Sequence, residues 1–240
     1  MSSTGALPEA EAHDHTHADV SGGWLRAAVF GAMDGLVTNT ALVAGVGGGG
    51  ASPRAIVLAG VASLVAGAIS MALGEYTSVK TQNEQLELEV DKERLELERN
   101  PHGELAELVQ MLRARGVEKD LAHQVAEQLS RDPDTALRLH VVAEMGVNPE
   151  DKPSPQVAAV SSLVTFAAGA VIPLLPYLFG VSLLWVALIC GGAGLALAGA
   201  LSSRFTPRPW WYAALRQLLF GAVAAGITYA IGLAIGVGVA

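Results

Sequence analysis

The sequence predicts an all-α membrane protein with five transmembrane helices and a cytosolic helical insert between helices two and three. Hydrophobic residues make up 51% of the 240 residues and charged residues only 16%, with a mean hydropathy of +0.41; this composition is typical of membrane proteins. Five apolar segments are long enough to cross a hydrocarbon core, which takes about 20 helical residues. The charge concentrates between the second and third of them, where 17 acidic and 10 basic side chains lie between Lys80 and Lys152.

We divide the chain into four predicted parts. They are a disordered, histidine-containing tail (1–23), transmembrane helices one and two (24–79), a cytosolic helical metal-binding domain (80–152) and transmembrane helices three to five (153–240). The five apolar segments are 25–47, 55–79, 156–179, 182–203 and 211–238. Short turns rich in Gly, Ser or Pro separate the segments on each side of the insert, such as "GGGGASPR" after the first segment and "SSRFTPRPWWY" before the last.

The N-terminal tail carries three alternating histidines, His13, His15 and His17. Such a tract is typical of metal binding, although a flexible tail without a role remains an alternative. The first 23 residues contain no Lys or Arg and no short apolar core. We therefore expect no cleaved secretory signal.

The basic residues favour one orientation, because short cytoplasmic loops retain Lys and Arg. With the N-terminus in the cytosol, the insert is also cytosolic and the C-terminus lies outside. Of the 15 basic residues, only Arg54 is then outside.

The insert has the pattern of a small helical domain. "TQNEQLELEVDKERLELERN" contains neither Gly nor Pro and is predicted to extend the second transmembrane helix into the cytosol. Asn100 and Pro101 stop this helix, and Pro101 suits the first turn of the next one. Three further helices are predicted in "GELAELVQMLRARG", "EKDLAHQVAEQLSRD" and "PDTALRLHVVAEMG".

Asp34 is the first candidate functional residue, because it lies inside the first apolar segment with no basic residue close in sequence. A charged carboxylate inside a transmembrane helix costs at least ~2.5 kcal/mol, so we expect it to face a pathway or a partner. Thr38 lies four residues further on and shares its face. The alternative is that Asp34 lies shallow, at the inner interface, and only solubilises the helix.

A second candidate pair lies in "AISMALGEYTSVK", where Met71 and Glu75 are four residues apart and share one helix face. Met71 alone would most often be core filler. A thioether beside carboxylates suits a transition metal such as ferrous iron better than magnesium or calcium.

The third candidate set lies on the acidic helices of the insert. Each helix offers two potential ligands at helical spacing; the pairs are Glu93 and Glu96, Glu104 and Glu107, and His140 and Glu144. Carboxylate and imidazole together could hold divalent cations. Glutamate-rich helices are usually solvated faces, and this alternative remains open for each pair taken alone.

Several function classes are disfavoured. A net charge of −8 without a basic patch argues against a nucleic-acid partner, and no phosphate-binding loop supports an ATP-driven pump. The single cysteine, Cys190, excludes an intramolecular disulfide. No Glu-x-x-His pair of a ferritin-like di-iron site occurs. We therefore expect no enzyme and no prosthetic group.

Two motifs together carry a resemblance to a known family. "RAAVFGAMDGLVTNTALVAGV" in the first segment and "GAISMALGEYTSV" in the second, followed by an acidic insert and three further spans, resemble the vacuolar iron transporter family over residues 24–238. The resemblance implies a homodimer of five-span protomers that exchanges divalent metal for protons. It implies that Asp34 and Met71 face a pathway at the dimer interface.

The resemblance also implies that the insert binds metal through Glu93, Glu96, Glu104, Glu107, His140 and Glu144. His140 stands where the family would have a thioether, and Met33 stands where Asn is common. Imidazole remains a good ligand for iron, manganese or zinc.

The expected function is proton-coupled export of a divalent transition metal from the cytosol, with Fe²⁺, Mn²⁺ or Zn²⁺ as the substrate. The expected pathway residues are Asp34, Thr38, Met71 and Glu75, and the expected partners are membrane lipid, a second copy of the chain, metal ions and protons. The expected location is a bacterial inner membrane, or a vacuolar membrane in a eukaryote. Two alternatives stay open: a membrane-anchored iron-binding buffer or oxidase, and a non-transporting scaffold.

Overall fold

The structure is a computed structural model that describes residues 23–239, with side chains described to residue 236. All regular structure in these residues is helical, which confirms the predicted all-α class. The histidines of the N-terminal tail lie outside the described residues.

Nine helices follow one another in the described chain: α1 Trp24–Gly48, α2 Pro53–Arg99, α3 Pro101–Ala114, α4 Lys119–Leu129, α5 Pro133–Met145, α6 Pro155–Val171, α7 Leu175–Leu178, α8 Leu184–Ser202 and α9 Trp210–Val239. Short 3-10 turns occupy Ile172–Leu174 and Ser203–Phe205. Five stretches are long and apolar enough to cross a membrane, and they begin at Trp24, Pro53, Pro155, Leu184 and Trp210. The chain is therefore a multi-pass integral membrane protein, as predicted.

Helix α2 extends far beyond the membrane. Its 47 residues correspond to about 70 Å at 1.5 Å per residue, against a hydrocarbon core of about 30 Å. The apolar part ends near Val79, and the charged part continues to Arg99. Asn100 ends α2 and its side chain accepts a hydrogen bond from the backbone N–H of Gly103, so that one residue stops α2 and caps α3.

The third span is interrupted near its end. The 3-10 turn at Ile172–Leu174 separates α6 from α7 and contains Pro173. Proline lacks the N–H that continues an α-helical ladder and its ring clashes with the preceding turn. The helix accordingly changes type at Pro173.

Helix α1 lies at the centre of the membrane bundle. It packs against α6, α9, α8 and α2. The Nδ2 of Asn39 donates to the carbonyls of Ala170 (2.7 Å) and Gly60 (3.2 Å), which ties α1 to α6 and α2. The hydroxyl of Thr228 donates to the Ala41 carbonyl at 2.6 Å, which ties α9 to α1.

The start of α1, the end of the apolar part of α2 and the start of α6 meet at one membrane face. Ala27, Val79 and Ala158 form a buried cluster there. The chain direction alternates from span to span, so the end of α8 and the start of α9 lie at this same face. The turns 49–52 and 179–183 lie at the opposite one.

Candidate functional sites along helix α2

All four predicted pathway residues line one cavity between α1 and α2. The cavity has a volume of about 360 Å³. Asp34 and Thr38 lie one turn apart on α1, and Met71 and Glu75 lie one turn apart on α2. Five further residues complete the lining: Phe30, Gly67, Ser70, Gly74 and Phe166.

Asp34 lies deep in the membrane part of the bundle. It follows Trp24 by ten residues in a 25-residue helix, which is about 15 Å along an axis of about 36 Å. The hydroxyl of Thr38 donates to Asp34 Oδ1 at 3.2 Å. Among the ion pairs of the described residues, none includes Asp34. The depth argues against a carboxylate that only solubilises the helix end.

Glu75 differs from Asp34, because it already has a cationic partner. Arg26 Nη2 lies 2.7 Å from Glu75 Oε2, and the glutamate side chain is 8% exposed while the arginine is 59% exposed. The ion pair lies at the end of the cavity nearest the membrane face at which α1 begins. Glu75 was predicted as a pathway residue, and its pairing with Arg26 was not.

The residue numbering of the first helical hairpin, α1 and α2, could have predicted the contact between Arg26 and Glu75. Two antiparallel helices joined by a turn centred between residues 50 and 51 place residues whose numbers sum to 101 at the same depth. This rule pairs Arg26 with Glu75, and Phe30 with Met71.

A second candidate site lies in the insert, where three buried side chains converge. Glu93 comes from α2, Glu104 from α3 and His140 from α5, and one ligand atom of each lies within 4.8 Å of the others. The Nδ1 of His140 is 3.1 Å from Glu93 Oε1 and 3.5 Å from Glu104 Oε2. The side chains come from three helices, so the site depends on the packing of the insert.

Two polar atoms of this cluster are buried without a hydrogen-bond partner in the described structure: Glu93 Oε1 and His140 Nδ1. They are close together but do not meet in hydrogen-bond geometry. A buried polar atom left unpaired costs about 1–3 kcal/mol. A cation bound between the three side chains would satisfy both atoms, so the cluster fits a metal site.

The remaining insert residues form the rim of this cluster. Glu144 Oε1 lies 3.8 Å from His140 Nδ1 and its side chain is about a third exposed. Glu96 and Glu107 are exposed, although both act electrostatically on Glu93. The structure therefore brings three of the six predicted ligands together in a buried cluster, with Glu144 beside it and two glutamates at the surface.

The electrostatics of the cluster reflect carboxylates that are close together and partly removed from water. Burial, together with the nearby charges of Glu144 and Glu104, raises the pKa of Glu93 to about 7. Burial also raises the pKa of Glu104, against the opposing effect of His140. The pKa of Glu144 is raised by burial and by Glu107. A divalent cation would relieve this repulsion.

The two sites share one face of one helix. Glu75 and Glu93 are 18 residues apart on α2, which is five turns and about 27 Å. The buried Val79 lies on the same face. The membrane cavity and the insert cluster therefore lie on the same side of α2.

Comparison with known proteins identifies the family. The family model described as "VIT family" matches residues 25–233. The chain is 35% identical to the vacuolar iron transporter of Acanthamoeba castellanii, over 95% of this chain and 85% of the relative. It is 31% identical to vacuolar iron transporter 1 of Oryza sativa subsp. japonica, over 96% of each, and 31% identical to vacuolar iron transporter 1 of Tulipa gesneriana, over 98% of this chain and 94% of the relative. The chain therefore belongs to the vacuolar iron transporter (VIT) family.

Proposed function

We propose that the protein exports a divalent transition metal, Fe²⁺ first and also Mn²⁺ or Zn²⁺, from the cytosol in exchange for protons. The observation that carries this proposal is a membrane cavity lined by Asp34, without an ion pair, and by the thioether of Met71. The named relatives are vacuolar iron transporters. These names and the family indicate a transporter and not an enzyme, as the sequence predicted.

The exchange follows from the chemistry of one carboxylate. The Asp34 carboxylate compensates one of the two positive charges of a dehydrated divalent cation in the cavity, while the Met71 sulfur and the Thr38 hydroxyl add uncharged ligand atoms. When the cation leaves, an ionised Asp34 inside the membrane is costly, and a proton removes that cost. Metal and proton therefore compete for one site, which is the simplest route to antiport.

The insert collects metal on the cytosolic side. Glu93, Glu104 and His140 supply two carboxylates and one imidazole, a donor set that suits Fe²⁺, Mn²⁺ or Zn²⁺. Glu96, Glu107 and Glu144 add negative charge around the cluster and attract cations towards it. Metal then reaches the membrane cavity along the face of α2 that carries Glu75.

A homodimer would enclose the pathway. The outer face of α2 exposes large apolar side chains, including Leu58, Val65 and Leu73. A larger cavity of about 820 Å³, between α1 and α9, is lined by apolar and small residues apart from Thr38 and Thr228. A second copy covering these surfaces would place two Asp34 residues around one pathway. In the proposed orientation, the N-terminus and the insert lie in the cytosol and the C-terminus lies outside. The basic side chains and the family favour a bacterial inner membrane or a vacuolar membrane.

Flux into proteoliposomes tests this function. Wild-type protein with an imposed pH gradient should take up Fe²⁺ and Mn²⁺, and Asp34→Asn should abolish uptake because it removes the charge that metal and proton share. Asp91→Asn is the matched control, since Asp91 lies on the exposed surface of α2 and pairs with Arg94. Full activity of Asp34→Asn would refute the mechanism.

A second experiment distinguishes a transporter from a protein that only stores metal. The variant Glu93→Ala/Glu104→Ala should weaken Mn²⁺ binding to the full chain while leaving residual flux at high metal concentration. Metal binding in wild type without any flux would favour the alternative of a membrane-anchored buffer.

A further inference from the structure

A third cavity lies at the membrane face where α1 begins, between α1, the end of α8 and the start of α9. Its volume is about 350 Å³. Two arginines line it, Arg26 from α1 and Arg216 from α9, together with the hydroxyl-bearing Ser202 and Thr206. The rest of the lining includes apolar side chains: Leu25, Val29, Met33 and Phe205. The cavity thus combines a cationic end with apolar walls.

Within the described residues, most of the positive charge around this cavity has no acidic partner. Besides Arg26 and Arg216, the segment that joins α8 to α9 carries Arg204 and Arg208. In the described chain, Arg26 pairs with Glu75, and the other three arginines form no ion pair within 4.0 Å. The guanidinium of Arg208 lies over the ring of Tyr212 at 5.9 Å. At least Arg216 therefore points into the cavity region without an anion.

Arg216 lies below the lipid headgroups along α9, and its side chain is long enough to reach them. It follows Trp210 by six residues on α9, about 9 Å along the helix. Trp210 and Trp211 are 65% and 56% exposed, and exposed tryptophans at a span end mark the membrane–water interface. A long arginine side chain at this position extends its charge back to that interface.

We propose that this cavity binds the phosphate of an anionic phospholipid in the leaflet at which α1 begins. Guanidinium groups form charge-assisted, bidentate hydrogen bonds to phosphate oxygens, and Arg26 and Arg216 reach the cavity from two different helices. Thr206 adds a hydroxyl donor. The Ser202 hydroxyl donates to the Gly199 carbonyl at 2.7 Å and keeps its oxygen as an acceptor.

The apolar walls select a lipid over a soluble anion. Val29 and Met33 lie one turn apart on α1, below Arg26, and line the cavity towards the membrane interior. A phosphate held by the arginines would place the attached acyl chain against these side chains. Free phosphate would leave the apolar wall uncovered. The expected ligand is therefore a whole anionic phospholipid, and its site is separate from the cavity of Asp34.

Lipid titration of the full chain tests this site. In an uncharged detergent, native mass spectrometry should show phosphatidylglycerol binding about tenfold more tightly than phosphatidylcholine. Both lipids carry a phosphate, but the choline cation of phosphatidylcholine is repelled by the arginines around the cavity. Arg216→Gln should remove most of this preference. The matched control is Arg54→Gln, which removes an exposed arginine at the opposite membrane face and should leave the preference unchanged.

A measurement on the wild type covers the case in which Arg216→Gln does not fold. The phosphatidylglycerol preference should fall as salt is raised from 50 to 500 mM, because the contact is ionic. Equal binding of the two lipids, an equal loss in Arg54→Gln, or displacement of phosphatidylglycerol by millimolar glycerol phosphate would each overturn the proposal. The last outcome would indicate a site for soluble phosphate.

Discussion

The two carboxylates of the membrane cavity differ in what neutralises them. Within the described residues, Asp34 accepts a hydrogen bond from Thr38 and has no ion pair, whereas Glu75 is paired with Arg26. A cation binding to Asp34 would therefore not have to displace an internal positive charge. This difference is why the proposed exchange is placed on Asp34 and not on Glu75.

The Arg26–Glu75 ion pair should be needed to keep Glu75 buried. Arg26→Gln leaves a carboxylate of 8% exposure without its partner. We expect a loss of about 1–2 kcal/mol in the free energy of unfolding. This loss is smaller than the cost of breaking a fully buried ion pair, because the arginine is more than half exposed. The double variant Arg26→Gln/Glu75→Gln should recover part of this loss. Chemical denaturation in detergent measures the free energy of unfolding of each variant in this double-mutant cycle. Strictly additive effects of the two substitutions would contradict an interaction between Arg26 and Glu75.

Metal binding by the insert cluster should depend on pH through Glu93. Its pKa of about 7 in the metal-free protein means that a proton must leave before a cation binds. Apparent Mn²⁺ affinity should therefore fall as pH is lowered below 7, approaching tenfold per pH unit from this group alone. Calorimetric titration of the full chain between pH 6 and pH 8 measures the slope. Glu93→Gln should bind more weakly and with a shallower slope; an unchanged slope would contradict the role of Glu93.

The same group makes an opposite contribution to the stability of the metal-free protein. A carboxylate whose folded pKa is raised from 4.5 to about 7 favours folding fully below pH 4.5, and this contribution is lost as pH rises through 7. Raising the pH therefore weakens the empty cluster while it strengthens metal binding. Metal should consequently stabilise the protein more at pH 8 than at pH 6.

At the scale of helices, close approach of α1 and α6 fixes the position of Asp34. Gly31 and Gly35 lie one turn apart on α1 and face α6. A Cβ on Gly35 would overlap the Phe166 carbonyl oxygen, and one on Gly31 would lie 2.7 Å from the Ser162 carbonyl oxygen. Small residues at this spacing allow membrane helices to pack backbone to backbone.

Gly35→Ala should therefore separate α1 from α6. The clash is with backbone atoms, so it cannot be relieved by a side-chain rotation, and we expect destabilisation of about 1–3 kcal/mol. Gly226→Ala on α9 is the matched control, because a Cβ there meets nothing within 4 Å. Thermal unfolding in detergent compares the two variants, and equal melting temperatures would show that the α1–α6 contact is looser than described.

Helix boundaries were predictable from sequence, whereas it was not predictable which of the six candidate side chains of the insert are buried. Asn100 with Pro101 and Gly146 are local signals, and α2 and α5 end beside them. Glu93 and Glu96 lie three residues apart, so periodicity places both on similar faces of α2. Only the packing of α3 and α5 on α2 decides that Glu93 is buried and Glu96 exposed. The hairpin numbering, by contrast, could have paired Arg26 with Glu75 from the sequence alone.

At the scale of the molecule, the described chain has one charged and one apolar end. The insert and Arg26, Arg204, Arg208 and Arg216 lie at the membrane face where α1 begins, and Arg54 lies at the other face. Because positive charge is retained in the cytosol, we expect the insert to be cytosolic. In the proposed function, metal would then enter at the insert end and leave towards the face that carries Arg54.

Cysteine labelling tests the orientation in a background where Cys190→Ala removes the only cysteine. Phe179→Cys places a thiol in the turn between α7 and α8, at a side chain that is 81% exposed. Arg115→Cys places one in the exposed turn after α3. In right-side-out vesicles, a membrane-impermeant maleimide should label the cysteine at 179 directly and the cysteine at 115 only after permeabilisation, with the cysteine-free parent as the control. The reverse pattern would invert the direction of transport, and labelling of both sites from one side would contradict the fold, because the two turns lie at opposite membrane faces.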